Sequence, residues 1–182
     1  MSGGKFNLRV AAVIRRNSKI LVMTGEDSPY FYLPGGRLKL HETSVSALRR
    51  EISEELHEQI QSLQLLWVVE NFFRKTQSDE DFHEICFFYE SEIKPESAIY
   101  DETSFSIYEE GRKNVFNWVY INELDDIDLL PMFLKEKLTH EISGVHHFVF
   151  PQDSGSTTLG KALSTRLSLC PAQREGKAAI WE

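Results

Sequence analysis

The sequence has few cysteines and no long apolar run. Its 182 residues include two cysteines, Cys86 and Cys170, which are too few for a disulfide framework and are not spaced as metal ligands. No stretch approaches the roughly 20 apolar residues that cross a membrane, and the N-terminal residues lack the apolar segment of a signal peptide. We therefore expect a protein of a reducing, cytoplasmic setting.

Basic charge is also scarce. The chain has 20 Lys and Arg residues against 28 Asp and Glu, a net charge of −8. An extended nucleic-acid partner is disfavoured because it requires a basic surface, whereas a nucleotide-sized ligand needs only a local pocket and a metal ion. The apolar fraction of 41% is enough for a core, which argues against a chain that is disordered throughout.

Strand patterns dominate the first 150 residues. Runs rich in β-branched and apolar residues predict strands over residues 6–15, 19–24, 63–73, 82–92, 115–121 and 146–150. Turn-forming residues predict a hairpin at Asn17-Ser18, a polar connector at 74–81 and loops over 25–36 and 94–112. Helices are predicted over 43–57 and near 131–138. The fold class is therefore α/β (α+β), with a mixed sheet.

The composition changes at about residue 151. Residues 151–182 have a surplus of small and polar side chains and no clear period. We interpret 1–150 as one domain and 151–182 as an appended or weakly structured tail, in which a short helix over 159–169 is conceivable.

Acidic residues crowd the stretch RREISEELHE, residues 49–58. At about 100° per residue, Glu51, Glu54, Glu55 and Glu58 fall within roughly a 100° arc of a helix, beside an apolar stripe. The pairs four residues apart repel each other by about 0.2–0.5 kcal/mol each. The face is either a solvated surface or a place where something positive binds, and carboxylates alone suit Mg²⁺ or Mn²⁺.

The pattern around this stretch resembles the Nudix box, G-x5-E-x7-R-E-U-x-E-E-x-G-U, where U is aliphatic. Gly36 is followed at the required spacing by Glu42 and then by Arg50-Glu51-Ile52-Ser53-Glu54-Glu55-Leu56. The strand order before and after the box extends the likeness to about residues 6–150. The chain is thus similar to the Nudix hydrolases, and the resemblance implies an αβα sandwich with a mixed β-sheet.

The resemblance also implies a metal site. Glu51, Glu54 and Glu55 match the family's metal-binding acids, and Gly35 matches the glycine whose carbonyl joins the metal. The implied cofactor is Mg²⁺ or Mn²⁺. The implied reaction is hydrolysis of the pyrophosphate linkage in a nucleoside diphosphate joined to another group, X.

The remaining roles are implied in the same way. Arg50 and Glu42 match residues that orient the acids by salt bridging, and Arg50 is counted with the three acids among the catalytic residues. The general base stays open among four glutamates: Glu54, Glu84, Glu109 and Glu110. The glycine loop is the segment Leu33-Pro34-Gly35-Gly36. The substrate-binding candidates are the box glycine and residues near the glycine loop and at a strand end: Gly36, Tyr32, Asn71 and Phe72.

The end of the box departs from the pattern. His57 stands where the family has glycine, and Glu58 stands at the aliphatic position. The glycine normally lets the chain leave the helix with a positive φ. Histidine tolerates that conformation better than most residues do, or the helix runs on slightly.

Two other function classes stay open. One is a catalytically silent Nudix-like domain that binds a nucleotide and regulates another process, and the other is a protein-interaction module whose acidic helix meets a basic partner. The sequence does not name the substrate, and a homodimer is compatible with it.

Overall fold

The computed structural model describes residues 4–26, 28–75, 80–109, 111–140, 142–151 and 163–167. The strands, in chain order, are β1 (Gly4–Val13), β2 (Arg15–Arg16), β3 (Lys19–Gly25), β4 (Ile60–Lys75), β5 (Glu80–Ile93), β6 (Ser104–Glu109), β7 (Arg112–Tyr120), β8 (Val145–Phe150) and β9 (Leu163–Leu167). The helices are α1 (Ser44–Leu56), α2 (Phe133–Lys137) and two 3₁₀ helices, Ala98–Tyr100 and Ile121–Asp126. None of these described helices is long and apolar enough to cross a membrane.

The strands form two sheets. The first has the order β1-β5-β4-β8-β9, and the second has the order β2-β3-β7-β6. In the first sheet β1 pairs with β5 in parallel and β4 pairs with β8 in parallel, whereas β5 and β4 are antiparallel. The predicted mixed sheet and the predicted α/β (α+β) class are therefore confirmed.

Strand β1 separates two apolar cores. Because successive side chains of a strand point to opposite faces, Val10 and Ala12 pack into the core that contains Leu48 and Ile52 of α1. Ala11 and its neighbours on the other face pack with the buried residues of α2 and of the 3₁₀ helix before it. Helices thus cover both faces, which is the layer order predicted for the sandwich.

The glycine loop runs along the free edge of β1. The Val10 amide donates to the Gly36 carbonyl at 2.9 Å and the Ala12 amide donates to Pro34 at 2.8 Å, while the Leu38 amide donates to Leu8 at 3.0 Å. The loop is therefore hydrogen-bonded like an added strand, and its position relative to α1 is fixed by the backbone of β1.

The local predictions for the hairpin and for α1 hold. Asn17 and Ser18 have φ values of 47° and 62°, and positive φ at both central residues is what a two-residue type I′ turn requires. Helix α1 begins after Thr43, whose side chain accepts the Ser46 amide at 3.1 Å. It ends at His57, which adopts the left-handed conformation at φ 56° and ψ 28°. The first of the two alternatives for the helix exit is therefore correct.

Two predictions of local structure are wrong. The predicted loop over 94–112 contains strand β6, whose alternating exposed and partly buried residues form an edge beside β7. Within 159–169, where a helix was considered, the described residues Leu163–Leu167 form the strand β9, which pairs with β8 from Val145–Leu167 to Val149–Leu163. Pairing with a neighbouring strand outweighs weak local helix preference. The rest of the predicted tail after residue 151 lies outside the described residues.

Candidate active site

The guanidinium of Arg50 lies among three glutamates. Its Nε and Nη2 atoms donate to the two carboxylate oxygens of Glu42 at 2.8 and 2.9 Å. Its Nη1 donates to Glu51 at 2.7 Å and to Glu54 at 2.9 Å, and Nη2 also donates to the Arg37 carbonyl at 3.0 Å. These contacts use all five N–H groups of the side chain.

The contacts of Arg50 correct the interpretation of the acidic face. From the sequence, the acidic face was either a solvated surface or a place where something positive binds. The long side chain of Arg50 instead reaches both Glu51 and Glu54. Glu58 follows the end of α1 and accepts a hydrogen bond from the Ser97 hydroxyl, so it does not share the face.

Glu42 anchors Arg50 from the loop before α1. The bidentate hydrogen bonds from Arg50, with a further one from the Lys39 amide at 2.9 Å, lower the pKa of Glu42 to about 2. The same pairing with Glu42 is the largest cause that raises the pKa of Arg50. Glu42 therefore stays charged across the physiological range and holds the guanidinium in position.

The Glu55 carboxyl group is buried against the glycine loop. Its side chain is 6% exposed and accepts the Gly35 amide at 2.8 Å. Burial is the largest cause that raises its pKa to about 8; the charges of Glu51 and Glu109 act in the same direction, and the Gly35 amide and Arg9 act in the opposite one. A buried carboxyl with this pKa stands beside other acids in a position where a cation would favour its charged form.

Both glycines of the loop are needed for the close approach of these groups. Gly35 has φ +143°, and a Cβ there would lie 2.3 Å from the carbonyl oxygen of Val10. A Cβ on Gly36 would lie 2.3–2.4 Å from the Glu51 carboxylate. The Glu51 and Glu55 carboxyl groups therefore lie against neighbouring peptide units of one loop.

The alternative base candidates lie around this cluster. Glu109 ends β6 and is close enough for its charge to act on Glu55, and Asn114 donates to it at 3.4 Å. Glu84, on β5, lies 4.0 Å from the Nη1 of Arg9. Glu110 lies outside the described residues. The fold thus brings Glu109 to the box acids and puts Glu84 next to Arg9.

The donors fit a hard divalent cation by type. Within residues 4–26, 28–75, 80–109, 111–140, 142–151 and 163–167, no group of three or more His, Cys, Asp or Glu side chains is arranged to hold a metal ion. The hydrogen bonds explain this arrangement, because Glu51 and Glu54 are turned to Arg50 and Glu55 is turned to the Gly35 amide. Carboxylate oxygens and a glycine carbonyl are nevertheless the ligand types that Mg²⁺ and Mn²⁺ prefer.

The substrate-binding candidates separate into two faces. Asn71 on β4 is paired with Glu84 on β5, so the two residues share a face of the sheet. Phe72, the next residue, points to the opposite face and stacks on His83 with ring centroids 4.2 Å apart. Tyr32 leads into the glycine loop, where its backbone pairs with Met23 at 2.8 Å in both directions. The fold therefore separates Phe72 from Asn71.

Arg9 is the site residue that the sequence analysis missed. It lies on β1 beside the loop, through a backbone bridge to Arg37, and its charge acts on Glu55. The available signal was a single cation inside the apolar strand FNLRVAAVI.

A groove of about 460 Å³ opens elsewhere and contains none of the box residues. It is lined by Arg15, Glu90, Ile121 and Leu138, with other residues of β4 and of the segment after α2. The groove lies beside the Arg15–Glu90 ion pair, which is 3.1 Å long. The volume of this groove therefore does not mark the place where the box residues would act.

Comparison with solved structures supports the fold. The chain is similar to the MutT protein from Bacillus halodurans, with 13% identity, a TM-score of 0.58 and coverage of 87% of this chain and 97% of that one. It is also similar to a NUDIX hydrolase from Nitrosomonas europaea, with 17% identity, a TM-score of 0.51 and coverage of 74% and 87%. A UDP-X diphosphatase matches at 17% identity and a TM-score of 0.50, over 76% of this chain and 62% of that one.

A search among curated proteins found no match. The model of the NUDIX domain family, in contrast, matches residues 5–142. This range includes the glycine loop, α1, strands β2 to β7 and all but the first residue of β1. The chain therefore belongs to the NUDIX domain family, the family of the Nudix hydrolases.

Proposed function

We propose that this protein is a divalent-cation-dependent hydrolase that cleaves the pyrophosphate linkage of a nucleoside diphosphate joined to a further group, X. The observation that carries the proposal is the convergence of Glu51 and Glu55 on the glycine loop, where Glu51 lies against Gly36 and Glu55 accepts the Gly35 amide. Such an array has little use as a solvated surface, because one of its carboxyl groups is buried.

The proposed cofactor is Mg²⁺ or Mn²⁺, held by Glu51, Glu54, Glu55 and the Gly35 carbonyl. When bound, this cation neutralises charge on the phosphate oxygens and assists the ionisation of the attacking water. On binding the cation, Glu51 and Glu54 would give up their hydrogen bonds from Arg50. Arg50 itself would stay in place, because it keeps its bidentate pair with Glu42. Arg50 and Glu42 thus hold the acids in position in our proposal.

The chain's own residues would supply the proton acceptor. Glu54 is the most exposed of the three box acids, with 43% of its side chain accessible, which favours it for contact with a water molecule. Glu109 is the next candidate, because its charge acts on Glu55. Glu84 and Glu110 stay as further alternatives.

Gly36 would let a phosphate approach the backbone, because it carries no side chain. Tyr32 and Asn71 stay our candidates for contacts to the nucleoside. Phe72 stays a weaker one, since its ring stacks on His83. A reducing, cytoplasmic setting also stays part of the proposal, and its support is that Cys86, the one cysteine among the described residues, is free and buried.

The experiment is a substrate panel with the full chain. Oxidised and ordinary nucleoside triphosphates, ADP-ribose, dinucleoside polyphosphates and UDP-sugars are incubated with Mg²⁺, with Mn²⁺ and with EDTA, and the nucleotide products are separated and quantified by chromatography. UDP-sugars are included because a UDP-X diphosphatase is among the similar structures. We expect turnover of at least one class that EDTA abolishes.

The alternative is a catalytically silent nucleotide-binding domain. The observation in its favour is that Glu51 and Glu54 are engaged by Arg50. Nucleotide binding without turnover of any member of the panel would favour this alternative and reject the hydrolase.

A further inference from the structure

We propose that Arg9 binds a phosphate group of the substrate beside the acidic cluster. This inference rests on the function proposed above, and it adds a residue that lies on β1, outside the box. It addresses how a site that contains at least three glutamates receives a ligand that is itself an anion.

Arg50 is not available for this task. Its five N–H groups already bind Glu42, Glu51, Glu54 and the Arg37 carbonyl at 2.7–3.0 Å. When a cation takes over Glu51 and Glu54, as proposed above, Nε and Nη2 stay bound to Glu42 and the Arg37 carbonyl, so this guanidinium has no bidentate edge left for a phosphate. The Arg50 guanidinium therefore serves to hold the glutamates in position.

Arg9 is held far more loosely. Its Nη1 lies 4.0 Å from the Glu84 carboxylate, which is longer than a hydrogen bond. This is the only ion pair of Arg9 among the residues that the structure describes, and 37% of its side chain is exposed. The planar guanidinium can therefore donate two parallel hydrogen bonds to an oxyanion.

The position of Arg9 suits a ligand that also touches the glycine loop. Its backbone is bridged to Arg37, and the next residue, Val10, donates to the Gly36 carbonyl at 2.9 Å. Its charge acts on the Glu55 carboxyl group and also on Cys86, its partner on β5. One phosphate held at Arg9 would thus lie at the border between the loop and the face that carries Asn71 and Glu84.

The chain offers a matched control. Arg15, on β2 of the second sheet, pairs with Glu90 on β5 at 3.1 Å, as Arg9 pairs with Glu84 on β5 at 4.0 Å, and its Nη1 also donates to the Leu138 carbonyl at 3.0 Å. It is six residues farther along, about 20 Å at the rise of a strand. Arg15→Gln therefore removes the same charge and an ion pair with a β5 glutamate, at a position outside the box.

The test measures binding of the methylene analogue of ADP, whose bridge cannot be hydrolysed. Titration calorimetry in Mg²⁺ compares the wild type with Arg9→Gln, Arg9→Lys and Arg15→Gln, after circular dichroism has checked that each is folded. We expect about 10- to 100-fold weaker binding for Arg9→Gln, a smaller loss for Arg9→Lys and wild-type affinity for Arg15→Gln. If Arg9→Gln does not fold, Arg9→Lys decides, and a loss of at least threefold supports the proposal.

Three outcomes overturn the inference: unchanged binding in the deciding Arg9 variant, an equal loss in Arg15→Gln, or no binding by the wild type. The turnover of the wild type on the substrate panel is measured separately. If the wild type turns over a substrate and Arg9→Gln binds as well as the wild type, only the role of Arg9 is rejected and the proposed hydrolase stands. Absence of turnover rejects the hydrolase, while a selective loss of binding in Arg9→Gln would still support a phosphate site.

Discussion

At the scale of single residues, the Glu55 carboxyl group is the most constrained part of the site. It is nearly inaccessible to solvent, it accepts the Gly35 amide, and burial raises its pKa to about 8. A carboxylate in this position costs stability unless a cation or a proton accompanies it. The fold therefore retains a group that the metal-free protein would hold more easily in its neutral form.

The pH dependence of stability follows from this pKa. Because the pKa of Glu55 in the folded state is raised from 4.5 to about 8, its protonation stabilises the fold fully below pH 4.5. That stabilisation is lost as the pH rises through 8. In EDTA, the unfolding free energy of the wild type should fall relative to Glu55→Gln by on the order of 4 kcal/mol over this interval. Urea unfolding between pH 4.5 and 9 measures it, and parallel profiles for the two proteins would contradict the burial argument.

The two glycines should respond differently to alanine. In Gly35→Ala the Cβ meets the backbone of Val10 at a φ of +143°, so we expect a loss of roughly 2–4 kcal/mol in unfolding free energy. In Gly36→Ala the three atoms nearest to the Cβ belong to the end of the Glu51 side chain, which can move. We therefore expect near-wild-type stability and a loss of hydrolysis of at least tenfold.

Thermal unfolding and steady-state kinetics of both glycine variants make this comparison. Gly25→Ala is a suitable control, because a Cβ there has no neighbour within 4 Å. Full activity in Gly36→Ala would show that the approach of Glu51 to the loop does not matter for the reaction.

The sequence predicted which acidic residues lie together. It did not predict which positive side chains offset their charge. Helical spacing is enough to put Glu51 and Glu55 on one side of α1. The reach of Arg50 depends on its rotamer, and the influence of Arg9 depends on the pairing of β1 with the loop, so neither follows from spacing. The burial of Glu55 likewise requires the tertiary fold.

At the scale of elements, the end of α1 determines where the acidic face stops. His57 occupies the left-handed conformation in which the box pattern has glycine. Glu58 then leaves the helix direction and meets Ser97. The departure from the pattern is thus accommodated by the backbone of histidine and does not disturb Glu54 or Glu55.

His57→Gly should therefore stabilise the protein. Glycine avoids the steric cost of the left-handed conformation, which is about 1–2 kcal/mol, and the greater freedom of the unfolded chain offsets part of it. We expect a net gain of roughly 0.5–1 kcal/mol in urea unfolding, with unchanged kcat. His57→Val, which is β-branched, should destabilise, and a less stable glycine variant would contradict the capping role.

The prediction of elements succeeded where local signals are strong. The turn at Asn17-Ser18 and the helix over 43–57 are marked by local features, and both were predicted from the sequence. The strands β6 and β9 were missed because an edge strand is defined by its partner, which is β7 for the one and β8 for the other. Their own residues carry weaker signals.

At the scale of the whole molecule, strand β1 holds α1 on one face and the glycine loop along its free edge. Val10 packs under α1 while its amide holds Gly36. The acids of the helix and the carbonyls of the loop therefore belong to a rigid unit, and a cation that binds them should stabilise the entire domain.

A divalent cation should thus raise the melting temperature. Millimolar Mg²⁺ or Mn²⁺ binds the folded state alone, and saturation at 100 times Kd corresponds to about 2.7 kcal/mol. We expect an increase of several degrees for the wild type and for Glu58→Gln, and a much smaller one for Glu51→Gln. Differential scanning fluorimetry in titrated Mg²⁺ measures this, and equal shifts in all three proteins would place the cation elsewhere.

The central claim is that the acids on the loop side of α1 carry out cation-dependent hydrolysis. Its most direct test is the steady-state rate, in Mg²⁺, of Glu54→Gln, Glu55→Gln and the control Glu58→Gln on a substrate that the wild type cleaves. We predict losses of at least 100-fold for the first two, with the fold intact by circular dichroism, and a wild-type rate for Glu58→Gln. Near-native turnover in both Glu54→Gln and Glu55→Gln would contradict the account.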